Sequence, residues 1–183
     1  STGRYVGALR RKVTMRGRTL LLNDVAPTFS VTDMVERGSP VMVGEFMALD
    51  DYAPLSAEQV PGASLDLVSC YIGLHHADPA RLPAFLASIG RVLRPGGRFI
   101  LRDHDVATPA MDNFVSLAHT VFNAGLGVPW EVNQAERRHF APADHWRDLL
   151  AAQGLAEAGP RLRQDHDASD NLLMVFRKDG AAA

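Results

Sequence analysis

Short apolar runs closed by polar or turn-forming residues alternate along this chain with stretches whose apolar residues recur at helical spacing. That alternation constrains the fold most, because strand–helix–strand order predicts a mainly parallel sheet with helices on both faces. TLLLND (19–24) is continuous and ends on Asn23-Asp24, as expected of a strand buried on both faces. PVMVGEFMAL (40–49), SLDLVSCYIG (64–73), RFILRD (98–103) and NLLMVFRK (171–178) read as further strands. The last is expected to pair antiparallel with a strand near GPRLRQ (159–164).

The intervening helices carry their own signals. Tyr5, Val6 and Leu9 share a face, and TDMVERG (32–38) ends at a stop glycine, Gly38. Asp78 is a plausible N-cap with Pro79 at the first helical position. Leu82, Phe85, Leu86, Ile89, Val92 and Leu93 then line one face until Pro95-Gly96-Gly97 stops the helix. Thr108-Pro109 opens another, with Phe114, Val115, Leu117, Ala118, Val121 and Phe122 as a wide stripe. A last helix, PADHWRDLLAAQG (142–154), ends at Gly154. No repeat or low-complexity linker interrupts this order, so residues 1–179 read as one α/β domain and 180–183 as a frayed tail.

With 183 residues, 19 Lys and Arg against 21 Asp and Glu, and a net charge of −2, the chain lacks the basic footprint of a nucleic-acid partner. RRKVTMRGR (10–18) is a local exception that reads as a solvated helix end. One cysteine, Cys70, excludes an internal disulfide framework and a cysteine-based zinc site, and fits a reducing, cytoplasmic setting. No apolar run reaches the ~18 residues of a membrane span, so no membrane partner is expected.

In open sheets of this class, ligands sit beyond the carboxyl ends of the strands. Asp24, the GLHH segment with His75 and His76, and Asp103-His104-Asp105 all fall at such ends. Three readings compete for the histidines and their acids. They supply a general base for an acceptor hydroxyl or amine, they hold a divalent cation, or they form a polar rim in which the acids cap the next helix. The residue types allow a metal, but the spacing assigns no ligand to one. For the base, His104 or His76 is favoured, oriented by Asp103 or Asp105.

SLDLVSCYIGLHHADPARLPAFLASIGRVLRPGGRFILRDHD (64–105) resembles the fourth strand, helix and fifth strand of the class I S-adenosylmethionine-dependent methyltransferases. Its most specific element is Arg91-Val92-Leu93-Arg94-Pro95-Gly96-Gly97. The resemblance implies a Rossmann-like fold and S-adenosyl-L-methionine as cofactor. It puts Asp24 on the cofactor ribose, Glu45 and Phe46 beside the adenine, and the backbone of Cys70 and Tyr71 beside the methionine part. Ser1-Thr2-Gly3-Arg4-Tyr5 is similar to the tail of the family's glycine-rich loop, with Gly3 as its last glycine. The family's first strand and the rest of that loop have no counterpart, so the chain reads as an incomplete portion of such a domain.

The resemblance implies methyl transfer to a small-molecule acceptor. GLGVPWEVNQAERRHF (125–140) corresponds to the variable roof over the acceptor, with Trp130, Glu131, Asn133, Arg137, Arg138 and Phe140 shaping a slot. A nicotinamide dehydrogenase is disfavoured because G-x-G-x-x-G and Tyr-x-x-x-Lys are absent, and a hydrolase because G-x-S-x-G is absent. The rival reading is a truncated or degenerate fold acting as a non-catalytic binding or dimerisation module. A homo-oligomer fits either reading.

Overall fold

The computed structural model describes residues 3–180. Ser1 and Thr2 of the loop tail, and 181–183 of the expected frayed end, lie outside the described residues. The chain forms two compact units, divided after Asp51.

In the first unit, α1 (Val6–Lys12) precedes β1 (Leu20–Asn23), and α2 (Val31–Arg37) leads to β2 (Glu45–Ala48). The two strands are parallel, from Leu20 opposite Glu45 to Asn23 opposite Ala48. Arg10, Arg11 and Lys12 occupy the last turn of α1, where cations complement the helix dipole. Ser30 caps α2 by accepting from the Asp33 amide, and Gly38 ends it. Only Leu21 of β1 is buried, so the expected burial on both faces is not met. β2 also begins five residues later than its apolar run suggests. Arg37 is the reason: its Nε donates to the carbonyls of Ser39 and Val41 (2.9 and 3.2 Å) and its Nη1 to that of Thr28 (2.6 Å). Those bonds fold residues 39–41 around a buried guanidinium before pairing begins.

The second unit holds a five-stranded sheet. β3 (Leu65–Tyr71) runs parallel to β4 (Leu93–His104), which pairs antiparallel with β7 (Asn171–Lys178). β5 (Leu155–Glu157) and β6 (Leu162–Arg163) both pair antiparallel with β7, as expected for the C-terminal strands. The helices are α3 (Leu82–Val92), α4 (Pro109–Gly125), α5 (Trp130–Ala135) and α6 (Ala143–Ala151). Leu86 and Val92 of α3, Leu101 of β4, Leu150 of α6, Leu155 and Phe176 are enclosed completely. Among the described residues, β1 bonds only to β2, and β3 only to β4.

Three local expectations change. Asp78 and Pro79 make a tight turn rather than a helix start: Asp78 Oδ1 accepts from the Ala80 amide (2.8 Å), and its carbonyl accepts from Arg81 and Leu82. Pro83, one residue inside α3, fills the early helical place given to Pro79. Second, α3 ends at Val92, and Pro95-Gly96-Gly97 is a bulge inside β4. Leu93 pairs with Leu65, yet Arg98 already pairs with Leu67. Gly96 takes φ +77°, and a Cβ on Gly97 would lie 2.8 Å from the Arg94 carbonyl, so glycine suits both places. Third, the α4 stripe is not core. Phe114, Leu117, Val121 and Phe122 are exposed, and only Val115 is buried. Apolar periodicity names a face able to be covered; it does not supply the cover.

Candidate functional site

The parallel register carries Tyr71 level with Arg102, so β4 extends two residues further, to Asp103 and His104. β3 continues for one more ladder bond, Ile72 amide to Arg102 carbonyl (2.6 Å). Ile72 has φ +54°, a costly conformation for a β-branched residue and one that recurs at functional turns. The Tyr52 hydroxyl donates to the Gly73 carbonyl next to it. A single 3-10 turn, Leu74–His76, then brings two histidines back over the end of β4.

Asp103 and His75 form the buried heart of the cluster, with side chains 1% and 0% exposed. His75 Nδ1 lies 2.5 Å from Asp103 Oδ1. The carboxylate also accepts the His104 amide (2.9 Å) and the Leu74 amide (3.1 Å). Burial pushes Asp103 up, but the hydrogen bond from His75 and the amide of His104 outweigh it and hold the acid below its ordinary range. Burial lowers His75 against the pull of Asp103, so the ring is a neutral Nδ1–H donor. Asp103 therefore orients His75, whereas the expected partners were His104 or His76.

His104 is fixed by a different acceptor. Its Nδ1 faces the Ser169 carbonyl at 2.9 Å, which makes it the protonated nitrogen, and its Nε2 lies 3.1 Å from Nε2 of His119. His76 Nδ1 faces the Arg137 carbonyl (2.9 Å), and Glu136 Oε1 stands 3.8 Å away. Asp105 serves neither ring. It accepts the Ala143 amide at the start of α6 (2.8 Å) and pairs with Arg163 (2.8 Å), so the helix it caps is α6 and not the next one, α4, which Thr108 caps.

The roof segment closes over these rings. The His139 amide donates to the His75 carbonyl (2.7 Å), and the Phe140 ring lies 4.9 to 5.5 Å from those of His75, His119 and His104. Arg138 is braced by Glu136 (2.9 Å), the Ser116 carbonyl (3.0 Å) and Asn133 Oδ1 (2.6 Å). Trp130 and Glu131 are exposed, so neither lines an enclosed slot.

His119 and Glu136 were not among the residues singled out from the sequence. His119 lies on α4 four residues after Val115, the only buried residue of that helix, so both share its inward face. Burial and the neighbouring histidines lower His119 to about 4. Between 6.5 and about 4 the unfolded chain thus binds a proton that the folded chain refuses. Folded stability is therefore full above that window and falls as pH drops through it. In a chelator-containing buffer, the melting temperature should decline from pH 7 to 4, and His119→Asn should flatten the decline. Parallel slopes for the two proteins would contradict this.

The remaining candidates are Cys70 in the second unit and Gly3, Asp24, Glu45 and Phe46 in the first. Cys70 ends β3 beside Tyr71; burial and the Asp103 charge push its thiol up to about 12, so it is no nucleophile at neutral pH. Asp24 is exposed just past the carboxyl end of β1. Gly3 has φ +90°, and a Cβ there would lie 2.3 Å from Val43 Cγ2, so its backbone approaches more closely than any side chain permits. Glu45 and Phe46 begin β2 rather than follow a strand. Glu45 grips Arg18 through both oxygens (3.0 and 2.5 Å), at the end of the pair opposite Asp24. Leu49-Asp50-Asp51 follows β2 where the adenine segment was expected.

The family model described as "Methyltransferase domain" matches residues 2–101, more than half of the chain. No curated protein matches it. Among solved structures, 1,6-didemethyltoxoflavin-N1-methyltransferase of Burkholderia thailandensis, with bound 1,6-didemethyltoxoflavin and S-adenosylhomocysteine, aligns at TM-score 0.63 and 18% identity. That alignment covers 98% of this chain and 68% of the other. An O-methyltransferase family 2 protein of Planctomyces limnophilus, in complex with apigenin, aligns at 0.63 and 15%, over 97% of this chain and 48% of that one. LepI in complex with SAM aligns at 0.61 and 18%, over 97% and 41%. The chain thus spans under half the length of the latter two. The shared architecture is Rossmann-like α/β. Among the described residues, no helix is long and apolar enough to cross a membrane.

Proposed function

The chain belongs to the methyltransferase domain family, and from that premise we propose that it moves the methyl group of S-adenosylmethionine to a small-molecule acceptor, with His76 as the base. The observation that carries the reading is the histidine cluster at the carboxyl ends of β3 and β4, within a family whose acceptors meet their donor at that edge. The donor supplies an already activated methyl sulfonium. Gly3, at a place only glycine fills, and Asp24, a carboxylate at a strand end suited to a ribose diol, match its needs. Glu45, committed to Arg18, is left out of the donor site.

The rest of the reaction asks for positioning and removal of one proton. His76 suits that task best. His75 is enclosed, and Nε2 of His104 is occupied by His119. The His76 side chain is 28% exposed. With Nδ1–H held by the Arg137 carbonyl, its Nε2 can accept from an acceptor hydroxyl or amine. Glu136, 3.8 Å away, then stabilises the imidazolium. The acceptor atom forms its new bond to the methyl carbon as the carbon–sulfur bond breaks with its electron pair on sulfur. The proton leaves from His76 to solvent.

Calorimetric titration with S-adenosylhomocysteine tests the donor assignment. Asp24→Ala should weaken binding by roughly 1–3 kcal/mol, the loss of a charge-assisted hydrogen bond. Equal affinity in the two proteins would remove Asp24 from the ribose. The exposed apolar face of α4 favours one second reading, a non-catalytic binding or dimerisation module on the same fold. That module would bind S-adenosylhomocysteine yet turn over none of a panel of phenols, amines and heterocycles.

A further inference from the structure

His75, His104 and His119 stand together, each offering a ring nitrogen, and the geometry points to a transition-metal site among them, of the class that Zn²⁺ fills. Their donor atoms all lie within 4.8 Å of one another. Those of His104 and His119 are 3.1 Å apart, and two nitrogens ~2.05 Å from a tetrahedral zinc stand about 3.3 Å apart. That pair already stands close to the separation a tetrahedral ion asks for.

Orientation makes the case beyond proximity. A metal-binding histidine usually donates its other ring N–H to a carboxylate or carbonyl, which fixes the tautomer and aims the bare nitrogen. His75 does so to Asp103 (2.5 Å) and His104 to the Ser169 carbonyl (2.9 Å). Each thereby leaves its lone pair on Nε2. His75 Nε2 is buried in a fully enclosed side chain and has no hydrogen-bond partner. An orphan of that kind is costly unless something binds it. A cation satisfies it, and the Phe140 ring shields the same three imidazoles from water.

A second triad, His76, His119 and Glu136, shares His119 and is the weaker site. Glu136 is already held by Arg138 (2.8 Å) and Asn123 (3.0 Å), so its oxygens are less available as ligands. The three-imidazole site therefore takes the ion, leaving a fourth position for water or an acceptor oxygen and leaving His76 outside the ligand set. Imidazole donors favour zinc, copper, iron and nickel over magnesium and calcium. The site stands independently of methyl transfer, since its test reads metal alone.

Protein stripped with EDTA and dialysed is titrated calorimetrically with Zn²⁺, and separately with Co²⁺ while visible absorption is recorded. The expected result is one equivalent of zinc and the intense visible bands of four-coordinate cobalt. His104→Ala and His119→Ala should each weaken zinc binding by about 100-fold or more, and Asp103→Asn by roughly 10–100-fold. A His145→Ala/His166→Ala double variant, altered at histidines outside both triads, should bind as the parent does. No zinc uptake, or uptake that survives His104→Ala and His119→Ala, overturns the site. Should those variants fail to fold, the parent spectrum decides: weak six-coordinate cobalt bands also overturn it.

Discussion

His76→Ala should lower the rate of methyl transfer by about 10²–10⁴-fold and leave the affinity for S-adenosylhomocysteine unchanged. The size follows from what a positioned base contributes when it takes a proton in the transition state. Its direction follows from the environment of the ring: Nδ1 is tied to the Arg137 carbonyl, and the side chain is open enough for an acceptor to reach. Losing the base removes an interaction made only in the transition state, so kcat and kcat/KM should fall together. The measurement is single-turnover kinetics on the acceptor that a panel screen returns. If His76→Ala keeps a near-normal rate, the base lies elsewhere in the cluster or the acceptor needs none.

Asp103→Ala should cost the fold roughly 3–5 kcal/mol, a large share of a domain's typical 5–15 kcal/mol. The carboxylate accepts from His75 Nδ1 and from the amides of Leu74 and His104, and its side chain is 1% exposed. Alanine leaves three enclosed donors without an acceptor, and each unmade bond is expensive. Asp103→Asn keeps one oxygen and should lose less. Urea denaturation of the three proteins measures this. A loss for alanine under about 1 kcal/mol would mean that water reaches the pair.

Much of the architecture was legible because its signals are local. The alternation of apolar runs and helical stripes, the Thr108 cap and the Gly38 and Gly154 stops all depend on near neighbours. Placing Asp103 and His104 at a strand end needed only the length of an apolar run. Which acid meets which ring was not legible, because it depends on a tight turn after a left-handed Ile72. His75 therefore turns to Asp103, and Asp105 goes to α6. His119 was hidden for another reason: the wide stripe on α4 suggested that its apolar residues face inward. One polar ring four residues from the single buried valine was the better guide to that face. The start of β2 was misread because nothing in VMV announces that an arginine upstream will claim the carbonyls of Ser39 and Val41.

The antiparallel pairing of β4 with β7 also sets a timetable. Asp103 lies opposite Leu172 and His104 opposite Asn171, and the Ser169 carbonyl that aims His104 sits just before the same strand. On a ribosome, β3, α3 and β4 emerge long before their last neighbour does. Contacts so distant in sequence form late because closing a long loop must come first. Until β7 docks, one edge of β4 is bare and His104 has no acceptor to choose its tautomer. The histidine cluster is thus assembled when β7 arrives, and a nascent chain stopped before residue 169 carries the residues of the site without its geometry.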